Sequence, residues 1–76
     1  MEKVRLRVMT VPAIDPVTYQ DHTAFEVILQ DGGSMKCAPG WTLRDAVDNF
    51  CEWFHVKRET ICLQRPFLPQ RIPTHE

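Results

Sequence analysis

The sequence predicts an α+β domain: a small mixed β-sheet with one packed amphipathic helix, in the order β-β-β-α-β. Three observations carry that expectation. Residues 4–8 alternate strictly between apolar and charged side chains. Two apolar runs flank Asp31-Gly32-Gly33, the pattern of a hairpin. Residues 42–56 repeat apolar side chains at helical spacing behind a threonine.

The first strand is expected over residues 1–11. In Val4-Arg5-Leu6-Arg7-Val8 the period of two turns Val4, Leu6 and Val8 inward and Arg5 and Arg7 outward. Pro12 and Pro16 are expected to end the ladder, because proline has no N–H to donate to it. Residues 12–23 show no period and read as a long loop. Loops of that length are uncommon in compact domains, so this one, with Tyr19, is a candidate contact surface.

Residues 24–38 read as a β-hairpin. Phe25, Val27 and Leu29 point inward on its first strand, and Met35 and Cys37 on its second. The glycines of Asp31-Gly32-Gly33 supply the positive φ that a tight turn requires. The helix is expected over residues 42–56. The Thr42 hydroxyl can accept from the backbone N–H of Asp45, whose carboxylate suits the first turn of a helix. Leu43, Ala46, Val47, Phe50, Cys51 and Phe54 form one apolar stripe, opposite Asp45, Asp48, Asn49 and Glu52. Trp53 falls about 90° from the centre of the stripe, at its edge. A last strand is expected over residues 60–64, and then a proline-rich tail over 65–76. Phe67 and Leu68 anchor the start of that tail in this reading, and residues 72–76 fray.

Seventy-six residues make a single domain, 1–76, with no room for a second core. A chain this short has a stability of roughly 3–5 kcal/mol. Hydrophobic residues at 43% are enough for a core and argue against disorder. Nine basic and ten acidic residues give a net charge of −1, which argues against a general nucleic-acid binder. No apolar run approaches the roughly 20 residues that span a bilayer. Three cysteines, an odd number, favour a reducing, cytoplasmic location over a secreted disulfide scaffold.

Cys51 and His55 stand four apart on the helix, a spacing that can clasp zinc, and Cys37 and Cys62 could complete the set. The competing reading makes all three cysteines small buried hydrophobes, and it is preferred: no metal and no cofactor are expected. Nucleophilic catalysis would need Cys51 or Ser34 beside His22 or His55, and nothing in the spacing joins them, so no enzyme is expected. Binding has more support. Trp53 at the helix edge and Tyr19 in the loop are residue types that dominate interfaces, whereas Trp41 is expected to cap the open end of the core. Asp45, Asp48 and Glu52 offer an acidic stripe for a basic partner, and Arg5, Arg7 and Arg44 a small basic patch.

Residues 24–64 resemble the β-grasp, ubiquitin-like fold. The order hairpin, helix, strand matches. The run Met35-Lys36-Cys37-Ala38-Pro39-Gly40-Trp41-Thr42-Leu43-Arg44-Asp45-Ala46-Val47 is similar to the strand-turn-helix start of Ras-binding ubiquitin-like domains, with their Gly-x-Thr-Leu-x-Asp pattern. The resemblance implies a sheet-and-helix interaction surface, and no Ras-type partner is carried over. No C-terminal Gly-Gly is present, so no modifier or sulfur-carrier role follows. The family's later strand has no counterpart, and residues 4–8 are expected to take its place in the sheet.

The sequence thus points to a small non-enzymatic protein-interaction module, with a protein partner whose identity it leaves open. It would use the helix edge around Trp53 and the 12–22 loop. Its size fits an accessory subunit, or an inhibitor encoded by a phage or mobile element. One alternative is a nucleic-acid-associated module using Arg5, Arg7, Lys36 and Arg44; another is a small zinc-binding domain.

Overall fold

The computed structural model describes residues 2–68. Strands β1 (Val4–Ile14), β2 (Asp21–Asp31) and β3 (Ser34–Gly40) precede helix α1 (Leu43–Phe54). A 3-10 turn at Arg58–Thr60 leads into the short strand β4 (Ile61–Leu63). The four strands form one mixed sheet in the order β3-β2-β1-β4. The pairs β1–β2 and β2–β3 are antiparallel, whereas β4 runs parallel to β1. This is the α+β order that the sequence predicts. The strand containing residues 4–8 lies beside the hairpin, with Val8 opposite Val27.

Register fixes which side chains meet the helix. The turn at Gly32-Gly33 closes on the pair Asp31 and Ser34, so Val27 stands opposite Ala38 and Leu29 opposite Lys36. Strand alternation then places Leu6, Val8, Val27 and Ala38 on one face, and all four are fully buried with Ala46 and Phe50. Lys36 shares that face, its ammonium 5.7 Å from the centre of the Phe54 ring. Met35 and Cys37 therefore point to the opposite face, not inward. A two-residue turn pairs odd positions of β2 with even positions of β3, and the inward set of β2 is odd.

The helix follows its expected stripe. Ala46, Val47 and Phe50 are buried, while Leu43, Cys51 and Phe54 pack at the margin of the core. The Thr42 side chain accepts the Asp45 N–H at 3.0 Å, and His55 ends the helix in the left-handed region at φ 55°. After β4 the chain keeps to the edge of β1. Gln64 N–H donates to Leu6 O at 2.8 Å, and Leu68 N–H donates to Val8 O at 2.7 Å. Leu68 thus anchors the start of the tail; the fraying expected over residues 72–76 lies outside the described residues.

The largest correction concerns residues 12–23. Instead of a loop, β1 runs on to Ile14 and β2 begins at Asp21, with Pro12 opposite Thr23 and Ala13 opposite His22. Pro12 does not break the ladder because of where its nitrogen points. The carbonyls of Leu6 and Val8 turn away from β2, toward the 64–68 segment. Alternation gives Pro12 the same orientation, so the N–H it lacks would have faced the edge. Pro39 in β3 is placed in the same way: its carbonyl, on the outer edge, accepts the Asn49 amide at 2.8 Å.

Candidate functional site

Beyond the pair Phe25 and Gly40, β3 has ended, and on the other side the last bridge joins Met9 to Leu68. Residues 11–14 and 21–24 continue as a two-stranded ribbon with no third strand among the described residues. The ribbon extends the sheet by about 13 Å. The molecule is accordingly long and thin, 42 × 26 × 21 Å.

The turn at the ribbon tip is tightly tied. Asp15 N–H donates to Gln20 O at 2.9 Å, and Tyr19 N–H donates to Asp15 O at 2.8 Å. One Asp15 carboxylate oxygen accepts from Val17 N–H at 2.8 Å and from Thr18 N–H at 3.1 Å. The Val17 bond, and then the Thr18 bond, hold the Asp15 carboxyl below its ordinary value of 3.8. Tyr19 sits in the left-handed region at φ 60°. For a residue with a Cβ that conformation costs about 1–2 kcal/mol, which the surrounding hydrogen bonds must offset.

This ordered turn presents apolar side chains to solvent. Tyr19 is 81% exposed, Val17 82% and Ile14 62%. Residues 14–21 carry two carboxylates, Asp15 and Asp21, and no Lys or Arg. The sequence reading included Tyr19 but missed Ile14 and Val17. The signal was Asp15-Pro16, a pair that starts turns because the aspartate accepts from the following amides and proline presets φ.

Comparisons with protein-family models, curated proteins and solved structures return no match. Function must therefore be argued from the site itself.

The other expected site residues are spread over the molecule. Trp53 is 52% exposed near the C-terminal end of α1, whereas the ribbon leaves the body at the other end, where Gly40 meets the Ala46 backbone. Trp53 and the tip are thus two separate surfaces. Asp45 and Glu52 are exposed, and Asp48 is ion-paired with Arg58. Arg5 and Arg7 lie on the sheet face opposite α1, while Arg44 is in the first turn of α1 and Lys36 is on the helix-side face. No basic patch joins these four. Trp41 does not cap the core; it is 44% exposed and packs edge-on against His22, with ring centres 5.2 Å apart.

The cysteines are also apart. Cys37 lies on the face opposite the helix, Cys51 on α1 beside the core, and Cys62 is exposed on β4. Burial pushes the Cys51 thiol up, which disfavours its thiolate. Among the described residues no three His, Cys, Asp or Glu side chains converge as a metal site. Nor is any helix among them long and apolar enough to cross a membrane.

Proposed function

We propose that this chain is a non-enzymatic protein-interaction module that inserts its ribbon tip into a concave site on a protein partner. The observation that carries the reading is the pairing of order with exposure at the tip. A turn held by bonds to Asp15 presents Val17 and Tyr19 almost fully to water. Apolar and aromatic side chains on a pre-organised projection bind with little ordering cost, which is how small inhibitors reach high affinity. The carboxylates of Asp15 and Asp21 favour a partner with a basic rim, so association slows as salt rises. Such a module acts as an accessory subunit, or as an inhibitor of the kind carried by phages and mobile elements. Three free cysteines are compatible with the reducing cytosol where we place it.

Cross-linking capture from the native host, read by mass spectrometry, identifies the partner. Tyr19→Ala and Val17→Asp are then expected to weaken its binding at least about tenfold, the loss of an interface anchor. The circular dichroism and melting of both variants should match the parent, and Trp53→Ala should bind as the parent does. Full binding by both tip variants, with loss in Trp53→Ala, would move the site to the helix edge.

A further inference from the structure

We infer that Trp41 is a positioning residue for the ribbon tip: its indole, held by the body of the domain, braces His22 and so fixes the direction in which the ribbon points. This deepens the reading of the tip as a binding projection and rests on it, since aim matters only if the tip is what the partner meets. The first observation is that the ribbon has little support of its own. Val11 with Ala24, Pro12 with Thr23, Ala13 with His22 and Ile14 with Asp21 pair beyond the end of β3, and no third strand accompanies them among the described residues. A hairpin without a third strand or a covering helix is marginal in water, and two-stranded ribbons twist more than wider sheets. The bonds around Asp15 order the turn, but they join residues 15–20 to one another and cannot set where the turn is aimed.

The second observation is that Trp41 is clamped on both sides in the chain. Gly40 before it pairs with Phe25 as the last residue of β3, and it lies so close to the first helical turn that a Cβ there would stand 2.7 Å from Ala46 Cα. Thr42 after it caps α1: its side chain accepts the Asp45 N–H at 3.0 Å and its carbonyl accepts the Ala46 N–H at 3.0 Å. The residue between these two anchors moves with the core. From there the indole packs edge-on against His22, with ring centres 5.2 Å apart and ring planes at 90°. That is a geometry aromatic pairs favour. His22 lies three residues beyond Phe25, about 10 Å along the strand. A contact so far out resists bending at the root of the ribbon, where a contact at the root itself has no leverage.

The surroundings of the ring fit a brace better than a core residue. Trp41 is 44% exposed and is not part of the cluster under α1. An open notch lined by Ala24, Pro39, Gly40, Trp41 and Asn49 lies at the root of the ribbon. The body leaves the ribbon unsupported there, and Trp41 is the lining residue that reaches across to His22. The competing role for an exposed tryptophan is direct contact with the partner, and it predicts different behaviour.

The test uses the full chain alone, with order parameters of the backbone amides taken from NMR residual dipolar couplings, which also sense slow swinging. In the parent the ribbon amides should match the sheet, at about 0.85. In Trp41→Ala and in His22→Ala the amides of Ala13, Val17, Thr18, Tyr19 and His22 should fall below about 0.6. The Val17 and Thr18 amide shifts should stay those of the tied turn, because the ribbon swings as a piece. Trp41→Phe keeps an edge-on ring and should keep the parent's order. The double variant should lose no more than either single one, since both remove the same contact. His22 is exposed, so His22→Ala should melt with the parent and decides the matter even if Trp41→Ala unfolds. Parent-like order in His22→Ala, additive losses in the double variant, or a ribbon already mobile in the parent would overturn the inference. No partner is needed, so a rigid, braced ribbon whose tip variants bind like the parent would sink the functional reading and leave the brace standing. With the captured partner, Trp41→Ala and His22→Ala should weaken binding by the same factor; loss in Trp41→Ala alone would make the indole a direct contact and overturn the positioning role.

Discussion

Asp15 organises the ribbon tip through one carboxylate oxygen, and its charge is what makes the two bonds strong. Because the Val17 and Thr18 amides favour the ionised form, the folded value lies below 3.8. The sign follows: this support is fully present above the ordinary carboxylate value and is lost as the pH falls through the depressed one. Between about pH 5 and about pH 2 the Val17 and Thr18 amide signals should move together, with a midpoint below that of an unperturbed aspartate. Movement centred at or above the ordinary value would show that the carboxylate does not hold the turn. The rest of the domain should stay folded through the first part of this change, because the tip shares no side chain with the core. At this scale the sequence is legible wherever a residue acts on near neighbours. Thr42 caps α1 as its spacing indicates, and Asp15-Pro16 marks the tip just as locally. Tyr19 is different: its left-handed φ follows from the ring of bonds around it, which no pattern of residue types displays.

Elements meet most closely where β3 hands over to α1. A Cβ at Gly40 would overlap the Ala46 nitrogen and stand 2.7 Å from Ala46 Cα and Asp45 C. These are backbone atoms of the first helical turn, so no side chain can swing aside. Gly40→Ala should push the helix off the sheet and cost about 1–3 kcal/mol, as overpacking does. For a domain of this size that lowers the melting temperature by several degrees, about 4–8 °C per kcal/mol. An unchanged melting curve would mean that the helix approaches the strand less closely. The sequence shows Pro39-Gly40 as a strand end, but its close approach to Ala46 depends on how α1 crosses β3. The boundaries of β1 and β2 were missed for a related reason. Pro12 reads as a breaker in isolation, and only its position on the outer edge of the ladder makes it harmless.

Across the whole molecule, stability rests on a single small core in which Phe50 is the largest fully buried side chain. Its ring also packs on Phe54, with centres 4.8 Å apart. Phe50→Ala should cost about 3–5 kcal/mol. That equals the whole stability expected for so short a chain, so the variant should be largely unfolded by circular dichroism at 25 °C. A cooperative melt near that of the parent would show that other contacts carry the fold. The sequence by itself determined the class and order of the elements, the apolar stripe of α1 and the inward faces of β1 and β2. Those follow from periodicity, which each segment carries along its own length. The tertiary structure decided what periodicity cannot reach. It set the register that turns Met35 and Cys37 outward, and it extended β1 and β2 past the other strands so that Tyr19 projects at their tip. It also separated Trp53 from that tip and placed Arg5 and Arg7 on the sheet face away from α1. Each depends on which residues of distant segments stand opposite one another, and pairing between strands is a property of the assembled sheet.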